Sequence, residues 1–311
     1  MAHSSGRSDP GRVRSGNEDS FVADPSLSLF AVADGMGGHS GGEIASQLAV
    51  ETLVSFIRTS RHDPGITWPY GFNTRLSFEG NQLQSGVQLA HQQIRYHAQR
   101  RPECSGMGST LVAVLLDGIR AVFANVGDSR LYLWRRGVLR QLSEDDSWAA
   151  SMLRAGASRE SVERHEMRHV LTRALGSTPE LDLSIGQVEL EAGDVLLMCS
   201  DGLHGPLGDD GIARVLHAAG DDLDRVAEAL IAAANDAGGP DNVTAVLVRH
   251  VPDERQRPKR RLADASGQST TEYVATAGIL VALGIVLSAM LTDAFRVFVR
   301  HIAHEVSFLS P

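Results

Sequence analysis

LSLFAVADGMGGHS, residues 27–40, opens as an apolar run and closes on an acid followed by glycines. Leu27–Ala33 reads as a strand, and Asp34 stands where the strand stops and the chain turns. One carboxylate in such a place has an ordinary use, because Asp-Gly is a common turn pair. The placement recurs three more times: Asp128 follows AVFANVG, Asp201 follows DVLLMCS, and Asp241 precedes NVTAVLV. Carboxylates gathered at the ends of buried strands repel one another, and desolvation makes the repulsion worse. Cations between them remove that cost.

Five further runs have the same strand character: Thr110–Leu116, Ala121–Val126, Leu131–Trp134, Val195–Cys199 and Val243–Val248. Between them, apolar residues three and four apart predict helices over Gly42–Ile57, Gln82–Gln99 and Leu223–Ala234. Short turns such as Leu116-Asp117-Gly118 and Arg136-Gly137 favour antiparallel hairpins over parallel crossovers. Helices grouped in blocks between groups of strands predict an α+β fold of antiparallel sheets covered by helices.

The averages agree with a globular chain. Of 311 residues, 42% are hydrophobic and 22% charged, which excludes wholesale disorder. A net charge of −9 argues against a nucleic-acid binder, which needs a basic face. Two cysteines, Cys104 and Cys199, make neither a disulfide framework nor a structural zinc site by themselves, as expected in a reducing cytosol. The first 21 residues contain no apolar run of the kind a secretory leader needs.

Oxygen donors with neither His nor Cys beside them select hard cations, Mg²⁺ or Mn²⁺. Glu18 and Asp19 in GNEDSF add two more acids, and Arg14 supplies a guanidinium whose fork matches a pair of phosphate oxygens. Hard cations with a phosphate-gripping arginine point to phosphoryl transfer to water, in which paired metals activate the water and neutralise developing charge. Other phosphate chemistries fail on spacing. A cysteine phosphatase wants Arg six residues after its Cys, but Thr110 and Gly205 stand there. The stretch Gly35–Ser40 has neither the third glycine of a dinucleotide loop nor the GK[ST] of a P-loop, and Ser200 lacks a nucleophile elbow.

The motifs Arg14…Asn17-Glu18-Asp19, Asp34-Gly35-Met36-Gly37-Gly38-His39, Gly108-Ser109-Thr110, Gly127-Asp128-Ser129-Arg130, Ser200-Asp201-Gly202 and Gly239-Pro240-Asp241-Asn242 come in an order that resembles bacterial metal-dependent (type 2C) Ser/Thr protein phosphatases. Trp68–Phe72 (WPYGF) and the helix after it also resemble that branch, and the likeness covers about residues 7–250. It implies an α-β-β-α sandwich of two antiparallel sheets flanked by helices, with two or three Mn²⁺ or Mg²⁺ ions at one end. By the resemblance, Asp34 bridges two metals and Gly35 lends its carbonyl. Asp201 and Asp241 hold the first metal, Glu18 and Asp19 act around the second, Asp128 helps bind a third, and Arg14 holds the substrate phosphate. The substrates would be phosphoserine and phosphothreonine proteins, including eukaryotic-like Ser/Thr kinases.

Two positions depart from the family pattern. Met36 stands where some members have a histidine that serves as leaving-group acid, which leaves His39 or a metal-bound water for that role. In Glu144-Asp145-Asp146-Ser147, where Asp-His-Ser is common, Asp146 takes the histidine's place and is expected to add negative charge beside a flap at about residues 148–168.

Past the phosphatase-like part, residues 1–250, the composition changes. Residues 251–267 are polar, with five Lys and Arg between Arg255 and Arg261, and read as a linker. Tyr273–Leu291 contains no charged residue, is long enough to cross a bilayer, and follows a basic cluster, so residues 268–311 are expected to carry a transmembrane helix. The preceding domain would then face the cytoplasm from a bacterial inner membrane. Gly267 and Glu272 resemble the processing signal of Flp-type (class III) pilins, in which the cut follows the Gly; cleavage there would free a cytoplasmic enzyme. The competing reading of the whole chain is a pilin-like membrane assembly component with an inactive phosphoprotein-binding domain.

Overall fold

The computed structural model describes residues 2–38, 41–63 and 65–251. The expected linker, the apolar run 273–291 and the Gly267–Glu272 motif lie outside them, as does His39. Among the described residues, no helix is long and apolar enough to cross a membrane.

Two antiparallel sheets face one another. The first orders as β1 (Ala2–Asp9), β11 (Val243–His250), β10 (Val195–Cys199), β7 (Arg130–Arg135) and β8 (Val138–Gln141). The second orders as β2 (Asp19–Asp24), β3 (Leu29–Met36), β5 (Leu111–Asp117), β6 (Arg120–Val126) and β9 (Ile185–Glu189), with the short β4 (Gly108–Ser109) continuing on β3. The helices α1 (Gly41–His62) and α2 (Phe78–Arg100) cover the second sheet, while α5 (Asp201–Ala218) and α6 (Leu223–Asp236) cover the first. This is the expected sandwich.

Alternating side chains explain the layers. On β3, Leu29, Ala31 and Ala33 pack against Ala45, Ala49, Leu53, Leu83 and Val87 of the helices. Phe30 and Val32 point the other way and meet Leu131, Leu133, Met198 and Val246 between the sheets. On β10 and β11, Leu197, Cys199, Ala245 and Leu247 turn toward Leu203, Ile212, Val226 and Leu230 of the helices. Such strands are buried on both faces, so they read as unbroken apolar runs even though the sheets are antiparallel.

The missed elements are edge strands or broken helices. The polar β1, AHSSGRSD, pairs residue by residue with β11, from Ala2↔His250 to Asp9↔Val243. The helix α5 carries Pro206 and kinks at Gly208, whose φ of 62° is outside any helix, so its sequence reads as loop. The small helices α3 (Trp148–Arg154) and α4 (Arg159–Glu163), with a 3₁₀ turn over Glu166–His169, form the flap at the expected place. The start of β2, the ends of β3 and β10, the β6–β7 turn and the start of β11 all open at one end of the sandwich.

Candidate active site

At that end lies a cleft of about 580 Å³, lined by Arg14, Glu18, Asp34, Gly35, Met36, Asp128, His169, Asp201 and Asp241 among others. Asp34 owes its direction to its backbone. Its N–H donates to Thr110 Oγ1 at 2.9 Å, and its carbonyl accepts from the Thr110 N–H at 2.8 Å and Ser109 Oγ at 3.0 Å. Ser129 Oγ holds the Thr110 hydroxyl at 2.7 Å. Both backbone groups of Asp34 are thereby satisfied by its neighbours.

Gly35 has to be glycine. A Cβ there would sit 2.0 Å from the Gly42 carbonyl oxygen and 2.7 Å from that of Glu18, whose oxygen already accepts from the Gly35 N–H at 3.1 Å. The first turn of α1 also presses on the Glu18 carboxylate, since a Cβ at Gly42 would stand 2.6 Å from its carbon.

Asp19 lies opposite Asp34 in the β2–β3 register. Its Oδ2 accepts from Ser200 Oγ at 2.7 Å and Thr244 Oγ1 at 2.6 Å. Its Oδ1 and that of Asp201 are buried with no hydrogen-bond partner among the described residues. Asp128 is placed by α5: its backbone oxygen accepts from His204 Nε2 at 3.0 Å. Asn242 fastens the N-terminal loop, accepting from the Glu18 N–H at 2.8 Å and donating to the Pro10 and Gly16 carbonyls.

These carboxylates are partly open to the cleft and enclosed by protein on their other sides. Desolvation is the first cause of raised proton affinity in Glu18, Asp19, Asp34, Asp128 and Asp201, and mutual repulsion is the next for Asp34, Asp128 and Asp201. Asp34 is raised well above the carboxylate range by burial and by Asp19, Asp201 and Asp128. Burial raises Asp19 to about 6 despite the Thr244 and Ser200 hydrogen bonds. Burial, Asp201 and Asp145 raise Asp128 to about 7. Asp201 and Glu18 are raised for the same leading reason.

Among the described residues, no three His, Cys, Asp or Glu side chains converge tightly enough to grip an ion as they stand. The donor set nevertheless fits hard cations. All the donors are oxygens, two of them are buried without partners, and the site is costly to leave negatively charged.

The predicted metal-site residues are found in or beside this cleft: Glu18, Asp34, Gly35, Asp128, Asp201 and Asp241 line it, and Asp19 pairs with Asp34; Gly267 and Glu272 lie outside the described residues. Arg14 also lines it, but its Nη2 lies 2.7 Å from Asp241 Oδ2, so the expected phosphate and metal groups neutralise one another. That bond raises the guanidinium's proton affinity further.

Asp146 departs from its expectation. It does not present charge to the flap. The residue is 3% exposed, its carboxylate accepts from Arg173 and from the Gly127 N–H at 3.2 Å, and its backbone N–H donates to the Gly127 carbonyl at 2.8 Å. The Thr172 N–H donates to the Asp146 carbonyl at 2.8 Å, so both ends of the flap tie to the turn that carries Asp128. Above this base, Trp148 and His165 stack at 4.1 Å.

Sequence reasoning assigned no role to Ser200, Thr244, Asn242, His204 or His169. Ser200 and Asn242 stand inside quoted motifs, but the partners of Ser200, Thr244, Asn242 and His204 lie tens to hundreds of residues away, so their roles show only in the fold.

Known proteins place this arrangement. Residues 12–248 match the family described as Protein phosphatase 2C. The Ser/Thr phosphatase Stp of Listeria monocytogenes is 35% identical over 256 residues, covering 79% of this chain and 95% of that protein. The Ser/Thr protein phosphatase PstP of Mycobacterium tuberculosis is 37% identical over 245 residues, 78% of this chain and 43% of the relative. The crystal structure of a PstP catalytic domain in complex with two manganese ions superposes with a TM-score of 0.67 at 35% identity, covering 81% of this chain and 99% of that one.

Proposed function

The chain belongs to the protein phosphatase 2C family, and from that premise we propose that it is a metal-dependent phosphatase acting on phosphoserine and phosphothreonine in proteins. The observation that carries the reading is the pair of partnerless buried oxygens, Asp19 Oδ1 and Asp201 Oδ1, in a cleft walled by further carboxylates. Mn²⁺ or Mg²⁺, when bound, would supply activated water and charge neutralisation for a reaction that is among the slowest in water without help.

The chain's own residues hold and aim. Asp34 with the Gly35 carbonyl, Glu18, Asp19, Asp128, Asp201 and Asp241 are the groups that would hold the cations. Ser200 and Thr244 fix one oxygen of Asp19, so its free oxygen is left for a cation. Arg14 has one nitrogen on Asp241 and four further N–H donors, enough to take a phosphoryl oxygen pair from the cleft rim. The acid set is complete, which counts against an inactive binding module.

Two further parts of the reading rest on sequence. We assign eukaryotic-like Ser/Thr kinases to the phosphoprotein substrates, and a bilayer anchor or a pilin-like processed segment to residues 268–311. Supporting the latter are the uncharged run 273–291, the basic cluster before it and the Gly267–Glu272 spacing.

The purified full chain, assayed on p-nitrophenyl phosphate and a phosphothreonine peptide with and without Mn²⁺, should turn both over only with metal. Absence of metal-dependent turnover would overturn the reading. A mass spectrum of the expressed protein separates the fates of the tail: a fragment ending at Gly267 supports processing, and intact chain in the membrane fraction supports an anchor.

A further inference from the structure

A phosphoserine or phosphothreonine ester leaves as an alkoxide unless a proton reaches the ester oxygen. Met36 has none to give, and a guanidinium such as Arg14 does not release one. The carboxylates are the groups set to hold cations. Among the described residues that line the cleft, His169 is the only histidine.

Its location is specific. His169 also borders a second, larger groove of about 1000 Å³ between the flap and α5, which shares Asp128 and Asp201 with the catalytic cleft. A phosphoprotein has to put its phosphoryl group in the cleft and lead its chain away along an open path. The ester oxygen then lies where the two compartments meet, and His169 stands at that junction. Arg168 and His165 are its basic neighbours on the flap side.

The backbone around His169 is fixed at the flap's base. It ends the 3₁₀ turn Glu166–His169, the Val170 N–H donates to Met167 at 2.9 Å, and the Val170 carbonyl accepts from the Trp148 N–H at 2.8 Å. Three residues on, the Arg173–Asp146 pair anchors the segment to the Asp128 turn.

We propose that His169 is a catalytic residue that donates the proton to the departing serine or threonine oxygen. This rests on the phosphatase reading above. In the step, a water oxygen forms a bond to phosphorus, and the bond from phosphorus to the ester oxygen breaks with its electron pair staying on that oxygen. The imidazolium of His169 gives that oxygen its proton, and the proton lost by the attacking water returns to solvent. The imidazole is then reprotonated from solvent. Phosphate ester and water become alcohol and hydrogen phosphate, and no oxidant or further reactant is needed.

The test uses leaving-group basicity. Full-length wild type, H169Q and H169A are assayed with Mn²⁺ on substituted phenyl phosphates, from 4-nitrophenyl to unsubstituted phenyl, and on a phosphothreonine peptide. Thermal unfolding checks the fold of each variant. A nitrophenolate needs little protonation, whereas an alkoxide needs much, so the loss in kcat/KM should grow along the series. It should reach about 10²-fold or more on the peptide, the usual contribution of a general acid. An equal loss on every ester, in a variant whose Tm is unchanged, overturns the proposal. So does a loss confined to the peptide with an unaltered aryl series, which would mean that His169 only recognises protein. If wild type fails to hydrolyse 4-nitrophenyl phosphate with Mn²⁺, the phosphatase reading itself falls, a result distinct from either.

Discussion

Replacing Arg173 with alanine removes the charge that neutralises a carboxylate almost wholly inside the protein. The Asp146 side chain is 4% exposed and that of Arg173 39%, so the substitution strands the acid with the Gly127 amide as its remaining partner between the flap and the Asp128 turn. Breaking a fully buried pair from one side costs about 3–5 kcal/mol. Solvent reaches the arginine here and screens the pair, which brings the figure to roughly 2–3 kcal/mol. At about 2–4 °C per kcal/mol for a domain of this size, Tm should fall by roughly 5–10 °C. The double variant D146N/R173A removes the stranded charge and keeps an acceptor for Gly127, so it should recover about 1–2 kcal/mol relative to R173A. Scanning calorimetry on the four proteins of the cycle, without metal, measures both numbers. A loss below about 1 kcal/mol in R173A, or strict additivity in the double variant, would refute the assignment of a buried, coupled latch.

Without metal, stability should fall as pH rises from about 4 to 7. Asp19 and Asp128 have folded-state proton affinities raised to about 6 and about 7, so in that window the folded chain binds more protons than the unfolded one. Saturating Mn²⁺ should flatten the slope, as a Tm series at both conditions will read. Asp34→Asn should cut turnover by about 10²-fold or more while leaving the metal-free Tm equal or higher, because it removes a repelling charge from the cluster; Asp241→Asn should cut turnover as much but also gives up the Arg14 ion pair, so its Tm should not rise. Calorimetry together with p-nitrophenyl phosphate assays checks both halves. His204→Ala frees the carbonyl of Asp128 and should weaken Mn²⁺ binding by about 10–100-fold in calorimetric titration, the usual cost of losing a group that orients a ligand.

The elements that could be read from sequence are those whose two faces are both apolar. The strands β3, β5, β10 and β11 sit between helices and the opposing sheet, so nearly every residue is buried and the run has no polar interruption. By contrast, β1 is an edge strand of small polar residues, held by its ladder to β11, and nothing in AHSSGRSD announces that ladder. The helix α5 hides behind Gly205, Pro206 and Gly208, where tertiary packing overrides weak propensity. In the site, the aspartates were legible because they end strands. His169 and Arg173 were not, because their meaning depends on a fold-back of the flap onto the turn carrying Asp128, which no periodicity encodes.

The pairing of β1 with β11 also sets an order of events during synthesis. Glu18 and Asp19 leave the ribosome early, yet the Glu18 amide and the carbonyls of Pro10 and Gly16 wait for Asn242, more than 220 residues later. The first sheet cannot take in β1 until β11 arrives, since β1 and β10 both bond to β11 and not to each other. At about 5–20 residues per second, the ribosome holds the nascent chain without its final ladder for some ten seconds or more. Through that interval the acids cannot assemble, so an interrupted chain should be catalytically silent until its last strand is made.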